Sequence, residues 1–173
     1  MNDEYIKSKY NIEDLKNIIN KLRQPDGCPW DREQTYESMR QCVMDEAAEV
    51  VEAIDNKDCI NLKEELGDLL LQVVMYSNIA EERGEFTFED VVNELSKKMV
   101  RRHPHVFGDL QAVEAELKPI TDKGVSRWNA IKFKEKEEKL KEYERLYKEG
   151  KISLELLESR QKYLLELKKT LNI

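Results

Sequence analysis

The sequence is poor in cysteine and has no long apolar run. Among 173 residues there are three cysteines, Cys28, Cys42 and Cys59, an odd number without a C-x-x-C pair. A disulfide framework is therefore excluded and a zinc knuckle is not indicated, so we expect reduced structural thiols. No apolar segment approaches the roughly 20 residues needed to span a bilayer, and the N-terminus, with Asp3 and Glu4, does not resemble a signal peptide. We expect a soluble, cytoplasmic protein.

The chain also lacks an excess of positive charge. Lys and Arg number 29 against 36 Asp and Glu, which gives a net charge of −7. The phosphate backbone of nucleic acids favours a basic protein face, so this balance argues against general nucleic-acid binding.

No segment shows convincing strand alternation, whereas helical periodicity is widespread and predicts an all-α fold. Helices are predicted from about Ile12 to Leu22, from Tyr36 to Asn56, from Asn61 to Arg83, and from Thr87 to the residues before Pro104. Asn61 with Glu64 resembles a capping box. Short connections predict an antiparallel four-helix bundle, and residues 108–123 are predicted to form a mobile connection.

The C-terminal part has a different composition. Beyond Phe133 the chain is rich in Lys and Glu, and Leu157, Leu164 and Leu171 then recur at heptad intervals. This pattern predicts a helical hairpin around Gly150. The predicted organisation is a core domain over residues 1–132 and a charged helical extension over residues 133–173.

Two carboxylate pairs, Glu46-x-x-Glu49 and Glu65-x-x-Asp68, lie on predicted helices. An i,i+3 pair is separated by about 60° of rotation and about 4.5 Å of rise, so both members cover one patch of a helix. Glu46 and Glu49 lie beside the apolar stripe of their helix. Glu65 and Asp68 lie on a polar strip between two apolar faces. We therefore predict that four acids converge.

Such a cluster is unfavourable without a cation. Two carboxylates about 5 Å apart repel by roughly 3 kcal/mol at an effective dielectric constant of about 20. A divalent metal would relieve this repulsion, and an all-oxygen ligand set favours Mg²⁺ or Mn²⁺ over Zn²⁺. Because proteins often bind Mg²⁺ together with substrate phosphates, the cluster indicates phosphate chemistry.

Four motifs occur in order between Leu22 and Lys132: L-R-x-P-D-G-C-P-W-D from Leu22, D-E-x-x-E from Asp45, E-L-G-D-L-L from Glu65, and R-R-H-P-H-V-F from Arg101. Together they resemble the MazG family of nucleoside triphosphate pyrophosphohydrolases. The resemblance implies an all-α, Mg²⁺-dependent hydrolase that converts a nucleoside triphosphate to a monophosphate and pyrophosphate. Its metal carboxylates correspond to Glu46, Glu49, Glu65 and Asp68, the residues that helical geometry selects. The family motif usually begins with two glutamates, and Asp45 departs from it.

The resemblance also implies substrate-binding residues. Lys98, Arg101 and Arg102 end the fourth predicted helix, where basic residues alone are typical partners of the helix dipole. In a MazG-like protein they would hold the triphosphate. A W-x-x-x-K element places Trp128 and Lys132 near the nucleotide, with Trp128 stacking on the base and Lys132 contacting phosphate.

The predicted mechanism assigns catalysis to Glu49, with Glu46 beside it. Mg²⁺ would neutralise charge that develops on the phosphates, while Glu49 would orient or deprotonate the attacking water. The predicted helix containing Leu71 has an apolar face that four helices leave uncovered, which predicts a homo-oligomer, most simply a dimer.

Three alternatives remain open on sequence grounds. A dUTPase, dCTPase or phosphoribosyl-ATP pyrophosphohydrolase shares the carboxylate pattern but differs in its base pocket. A ferritin-like di-metal protein needs Glu-x-x-His pairs, and neither His103 nor His105 follows a Glu by three residues. We expect these histidines in a structural or phosphate-adjacent loop. A non-enzymatic helical interaction protein would show no Mg²⁺-dependent stabilisation.

Overall fold

Helices dominate the computed structural model, which describes residues 5–173. These residues contain helices, turns and loops but no strand, so the predicted all-α fold is confirmed. The helices are α1 (Ile12–Arg23), α2 (Pro29–Glu33), α3 (Arg40–Asp55), α4 (Cys59–Glu82), α5 (Phe88–Arg102), α6 (Pro104–Phe107), α7 (Leu110–Thr121), α8 (Arg127–Lys148) and α9 (Leu154–Leu171). Within this part of the chain no helix is both long and apolar enough to cross a membrane.

The chain divides into two compact units between Glu94 and Leu95, a point that lies inside α5. In the first unit α4 packs against both α1 and α3. Its core is formed by the buried side chains of Ile19, Met39, Val74, Met75 and Ile79. In the second unit α8 packs against α7 and α9. The core there is formed by Leu117, Ile120, Val125, Ala130, Ile131, Phe133 and Leu164.

The start of α3 differs from the prediction. The helix begins at Arg40 rather than Tyr36, because the preceding residues form a turn. Thr35 and Ser38 fix this turn through reciprocal bonds, in which the backbone N–H of each donates to the other's hydroxyl oxygen. Such local side-chain bonds compete with helical ones.

The start of α4 also corrects the sequence prediction. Asn61 does not cap this helix, which begins at Cys59 with Asp58 as its N-cap. The carboxylate Oδ1 of Asp58 accepts hydrogen bonds from the backbone N–H groups of Ile60 and Asn61, each at 3.0 Å. The predicted end is confirmed, since Arg83 is the C-cap and Gly84 follows with φ of 67°.

Residues 108–123 are not a mobile connection, and that prediction is wrong. Most of them form α7, whose N-cap is Asp109. Leu117 and Ile120 are buried on one side of the helix and join the core of the second unit. Their spacing, together with that of Val113, follows one helical face.

The predicted C-terminal hairpin is confirmed by the packing of α8 against α9 around Gly150. Gly150 has φ of 70°, a left-handed conformation that residues with a side chain rarely adopt. Because α8 runs continuously from Arg127 to Lys148, it crosses the predicted domain limit at residue 132. The domain limits themselves stay a prediction.

We expect Asp58→Ala to lower the free energy of unfolding by about 1 kcal/mol, because two N–H groups of α4 lose their acceptor. Asn61→Ala is the matched comparison, and we expect a change below about 0.5 kcal/mol because alanine is a good helix former inside α4. Urea unfolding followed by circular dichroism measures both values. A larger loss for Asn61→Ala than for Asp58→Ala would contradict the capping assignment.

Candidate functional site

The pairing of α3 with α4 brings three carboxylates together. Glu46 and Glu49 lie on α3 and Glu65 lies on α4, and one carboxylate oxygen from each lies within 4.8 Å of the other two. Glu46 and Glu65 are partly buried, whereas Glu49 is exposed. Three of the four acids that were predicted to converge thus lie together between two packed helices.

The electrostatics of the cluster are unfavourable to ionised carboxylates. Burial raises the pKa of Glu46, and the charges of Asp68, Glu49 and Asp45 raise it further. Burial likewise raises the pKa of Glu65, with added contributions from Glu49, Asp68 and Glu64. Each proton is held more tightly because neighbouring charges and partial burial disfavour the ionised form.

Asp68 lies close to the cluster without being one of its three mutually close members. Its charge contributes to the raised pKa of both Glu46 and Glu65, and its side chain is partly buried. Its role as a fourth ligand stays a prediction. Asp45 is exposed, and its Oδ1 accepts a hydrogen bond of 2.8 Å from Nε2 of Gln41. That orientation agrees with the expectation that Asp45 points towards water.

No protein cation neutralises these acids within residues 5–173, because none of the four carboxylates there has a lysine or arginine ion-pair partner. Other carboxylates of the chain do have a lysine partner. Lys7 lowers the pKa of Asp14, and Lys16 lowers that of Glu89. The cluster therefore stands out as an uncompensated group of acids.

The donor set fits a hard divalent cation. Carboxylate oxygens are the ligands that Mg²⁺, Ca²⁺ and Mn²⁺ prefer, and the cluster includes no sulfur or imidazole ligand. A side chain at Gly67, between the two acids of α4, would meet no atom within 4 Å. The surface beside the cluster is thus open. Glu46, Glu49 and Glu65 could hold a metal ion.

The predicted phosphate-binding residues lie in the second unit. Arg101 and Arg102, at the end of α5, both bind the carboxylate of Glu135 on α8. Lys98 is partly buried and Lys132 is exposed, and neither has an acidic partner within the described part of the chain.

Trp128, the predicted base-stacking residue, is 42% exposed. The guanidinium carbon of Arg102 lies 5.1 Å from the centre of its ring, and the ring of His103 lies 5.7 Å away. The expected loop around the histidines is instead the short helix α6, and Nδ1 of His103 is 2.6 Å from the carbonyl oxygen of Met99. Base stacking by Trp128 stays a prediction.

Glu135 was missed by sequence reasoning. It lies in a Lys/Glu-rich stretch, where one glutamate resembles another. The available signal was its position seven residues after Trp128, which places both side chains on one face of α8 two turns apart.

The paired carboxylates on two packed helices place this all-α protein in the class of candidate metal-binding proteins. Comparison with known proteins narrows this class to one kind of domain. Residues 34–107 match the MazG nucleotide pyrophosphohydrolase domain. This range includes the four carboxylates and Lys98, Arg101 and Arg102, but not Trp128 or Lys132. The chain therefore contains a MazG domain over these residues.

Several curated proteins are similar to this chain over part of their length. The nucleoside triphosphate pyrophosphohydrolase/pyrophosphatase MazG of Thermotoga maritima is 48% identical over 128 residues, covering 74% of this chain and 46% of that protein. The nucleoside triphosphate pyrophosphohydrolase of Escherichia coli K12 is 42% identical over 129 residues, covering 74% and 47%. The uncharacterized protein YabN of Bacillus subtilis is 44% identical over 122 residues, covering 70% and 24%. The matches thus span about half or less of these relatives.

In the metal-free protein, we expect stability to fall as the pH rises above the ordinary glutamate range. Glu46 and Glu65 have pKa values raised above 4.5, so the folded state is favoured while they are neutral and loses that advantage as they ionise. Glu49→Gln removes a neighbouring charge and should flatten this dependence. The measurement is the thermal midpoint in EDTA from about pH 4 to about pH 8.

Glu52→Gln on the same helix removes an equal charge and is the matched control, since Glu52 is exposed and contributes to neither raised pKa. It should leave the pH dependence of the midpoint as in the unchanged protein. Equal flattening in both variants would show that total charge, rather than the cluster, governs this dependence.

Proposed function

We propose that the chain is a Mg²⁺-dependent nucleoside triphosphate pyrophosphohydrolase that converts a ribo- or deoxynucleoside triphosphate to the monophosphate and pyrophosphate. The observation that supports this most directly is the convergence of Glu46, Glu49 and Glu65 within 4.8 Å without a protein cation. The MazG match and the names of the relatives support a pyrophosphohydrolase reaction.

The proposed metal site consists of Glu46, Glu49, Glu65 and Asp68. A bound Mg²⁺, with Mn²⁺ as a substitute, would supply electrostatic neutralisation of charge on the phosphate oxygens. The acids of the cluster act as ligands because their ionised forms repel one another and gain from a shared cation. The raised pKa values of Glu46 and Glu65 are the signature of that repulsion together with burial.

Glu49 is the proposed general base. It is the exposed member of the cluster and can therefore reach solvent. In the proposed reaction it takes a proton from a water molecule whose oxygen adds to phosphorus, and the bond between the bridging oxygen and that phosphorus breaks. Pyrophosphate and the nucleoside monophosphate leave. Glu46 lies beside Glu49 in the cluster and is proposed to share the catalytic role with it.

The substrate's phosphate oxygens are proposed to bind Lys98, Arg101 and Arg102. Arginine offers paired donors to phosphate oxygens and lysine a compact charge. Trp128 is proposed to stack on the base and Lys132 to contact phosphate. The 42% exposure of Trp128 leaves ring surface for stacking, and the exposed amine of Lys132 is available to an anion.

We expect Glu49→Gln and Asp68→Asn each to lower kcat by at least about 100-fold, because removal of a positioned base or ligand typically costs 10²–10⁴-fold. Asp45→Asn is the matched control, since Asp45 is exposed and bound to Gln41, and it should retain most activity. The measurement is pyrophosphate release from a panel of ribo- and deoxynucleoside triphosphates with and without Mg²⁺. Near-normal turnover by Glu49→Gln would reject the assignment of the base.

Self-association is a second part of the proposal. Leu66, Leu70 and Val73 form one face of α4 and are 50%, 38% and 39% exposed. Such an apolar face is typical of an interface, and two-fold dimers are the commonest closed assembly. Met44 of α3 and Phe86 extend the exposed apolar surface of the same unit.

We expect sedimentation at micromolar concentration to show a dimer or a larger assembly. Leu70→Glu should shift the protein towards monomer, because it places a charge in the apolar face. Leu165→Glu on α9 is the control, since Leu165 is 54% exposed but lies in the other unit. A monomeric unchanged protein would refute the proposal.

A further inference from the structure

Both arginines proposed to bind phosphate are already bound to one buried carboxylate. Oε1 of Glu135 accepts a hydrogen bond of 2.9 Å from Nε of Arg101, and Oε2 accepts one of 2.7 Å from Nη2 of Arg102. Nε of Arg102 lies 3.1 Å from Oε2, and Nη2 of Arg101 lies 2.8 Å from Oε1. Glu135 therefore faces the same edge, formed by Nε and Nη2, of both guanidinium groups.

Glu135 leaves the opposite edge of each guanidinium group unbonded. Within residues 5–173, Nη1 of Arg101 and of Arg102 has no hydrogen-bond acceptor. A guanidinium carries five N–H donors in a fixed plane, so fixing one edge also fixes the direction of the remaining donors. Two arginines held by one carboxylate thus present their free donors in a defined arrangement.

Burial shows that this contact is more than a surface ion pair. The side chains of Glu135 and Arg102 are only 10% and 14% exposed, whereas Arg101 is 52% exposed. Burial alone would raise the pKa of Glu135, yet the hydrogen bonds from Arg102 and Arg101 outweigh it and the pKa is lowered. The carboxylate is therefore ionised at neutral pH and held in place by both arginines.

Trp128 also restrains the guanidinium group of Arg102. Arg102 lies over its ring at 5.1 Å, a distance at which a cation and an aromatic face attract each other. Trp128 and Glu135 lie on one face of α8, so a single helix restrains both the plane and one edge of the Arg102 guanidinium. Flexible arginine side chains lose conformational freedom when they bind a ligand, and restraint before binding reduces that loss.

We propose that Glu135 is a positioning residue, which holds Arg101 and Arg102 so that their unbonded Nη1 groups receive a substrate phosphate group. The inference rests on the proposed phosphate-binding role of these arginines. It adds to that role a residue outside the matched MazG domain, since Glu135 lies beyond residue 107.

Charge and geometry predict opposite effects of removing this carboxylate. Glu135→Gln removes one negative charge beside the arginines. Electrostatic attraction alone would then strengthen the binding of a polyanion. Loss of positioning would weaken binding of the polyanion. The amide keeps only one of the two acceptor oxygens of the carboxylate, and its NH₂ group is a donor that cannot bind a guanidinium N–H. The sign of the change in affinity therefore distinguishes the two effects.

The test compares steady-state hydrolysis by the full chain with that by Glu135→Gln. We expect KM to rise about tenfold, the scale of one lost charge-assisted contact, with kcat within about twofold because the contact acts equally on substrate and transition state. Glu138→Gln, an equal charge change at an exposed position of α8, should leave KM unchanged or slightly lower. An unchanged or lower KM for Glu135→Gln would overturn the inference.

A conservative variant covers the case in which Glu135→Gln fails to fold. Glu135→Asp keeps the charge on a shorter side chain that cannot reach both arginines at the observed distances. We expect several-fold higher KM, at unchanged net charge and with native circular dichroism. A KM for Glu135→Asp equal to that of the unchanged protein would also overturn the inference.

A binding measurement separates failure of this inference from failure of the proposed hydrolysis. Inorganic tripolyphosphate in EDTA is the probe, followed by Trp128 fluorescence in a Trp30→Phe background, where Trp128 is the only tryptophan. If no triphosphate is hydrolysed but Glu135→Gln binds the probe about tenfold more weakly, positioning stands without the enzymatic function. If triphosphate is hydrolysed but the Trp30→Phe protein binds the probe equally well with and without Glu135→Gln, the enzymatic function stands and the positioning role of Glu135 is rejected. Absence of binding by the Trp30→Phe protein would overturn the phosphate role itself.

Discussion

Repulsion among carboxylates held together by two packed helices is the constraint on which the first unit depends. Glu46, Glu49 and Glu65 are close because α3 and α4 pack against each other. Val74 and Met75 of α4 also join an apolar core that includes Met39, the N-cap of α3. The apolar core thus holds in place a charge arrangement that is unfavourable by itself. Such local conflict with stability is typical of functional sites, where the cost is offset by the rest of the fold.

Glu135 and the acidic cluster differ in how the charge of partly buried acids is compensated. In the second unit Glu135 is compensated by two arginines, and its pKa is lowered despite burial. The carboxylates of the cluster in the first unit receive no such partner within the described residues, and the pKa values of Glu46 and Glu65 are raised. The chain has 29 basic residues, so a shortage of cations does not explain the difference. The uncompensated site is the one that gains from an external cation.

Helical periodicity was sufficient to predict the all-α fold and the convergence of Glu46, Glu49 and Glu65, because their side-chain directions follow from spacing along two neighbouring helices. The contact of Glu135 with Arg101 and Arg102 joins residues more than 30 positions apart and has no local signature. The predicted start of α4 was wrong for a different reason. Asp58 and Asn61 are both good N-cap residues, and only the backbone conformation decides which of them begins α4.

The helix α4 combines three environments around one cylinder. Val74 and Met75 face the core, Glu65 and Asp68 face the acidic cluster, and Leu66 with its neighbours forms the exposed apolar face. Cation binding and burial of the apolar face would each stabilise the folded state in proportion to their free energies of binding. Both act on one helix, and they oppose different penalties, charge repulsion in one case and exposed apolar area in the other. The acidic strip of α4 would therefore gain from an ion, and its exposed apolar face would gain from burial in the proposed assembly.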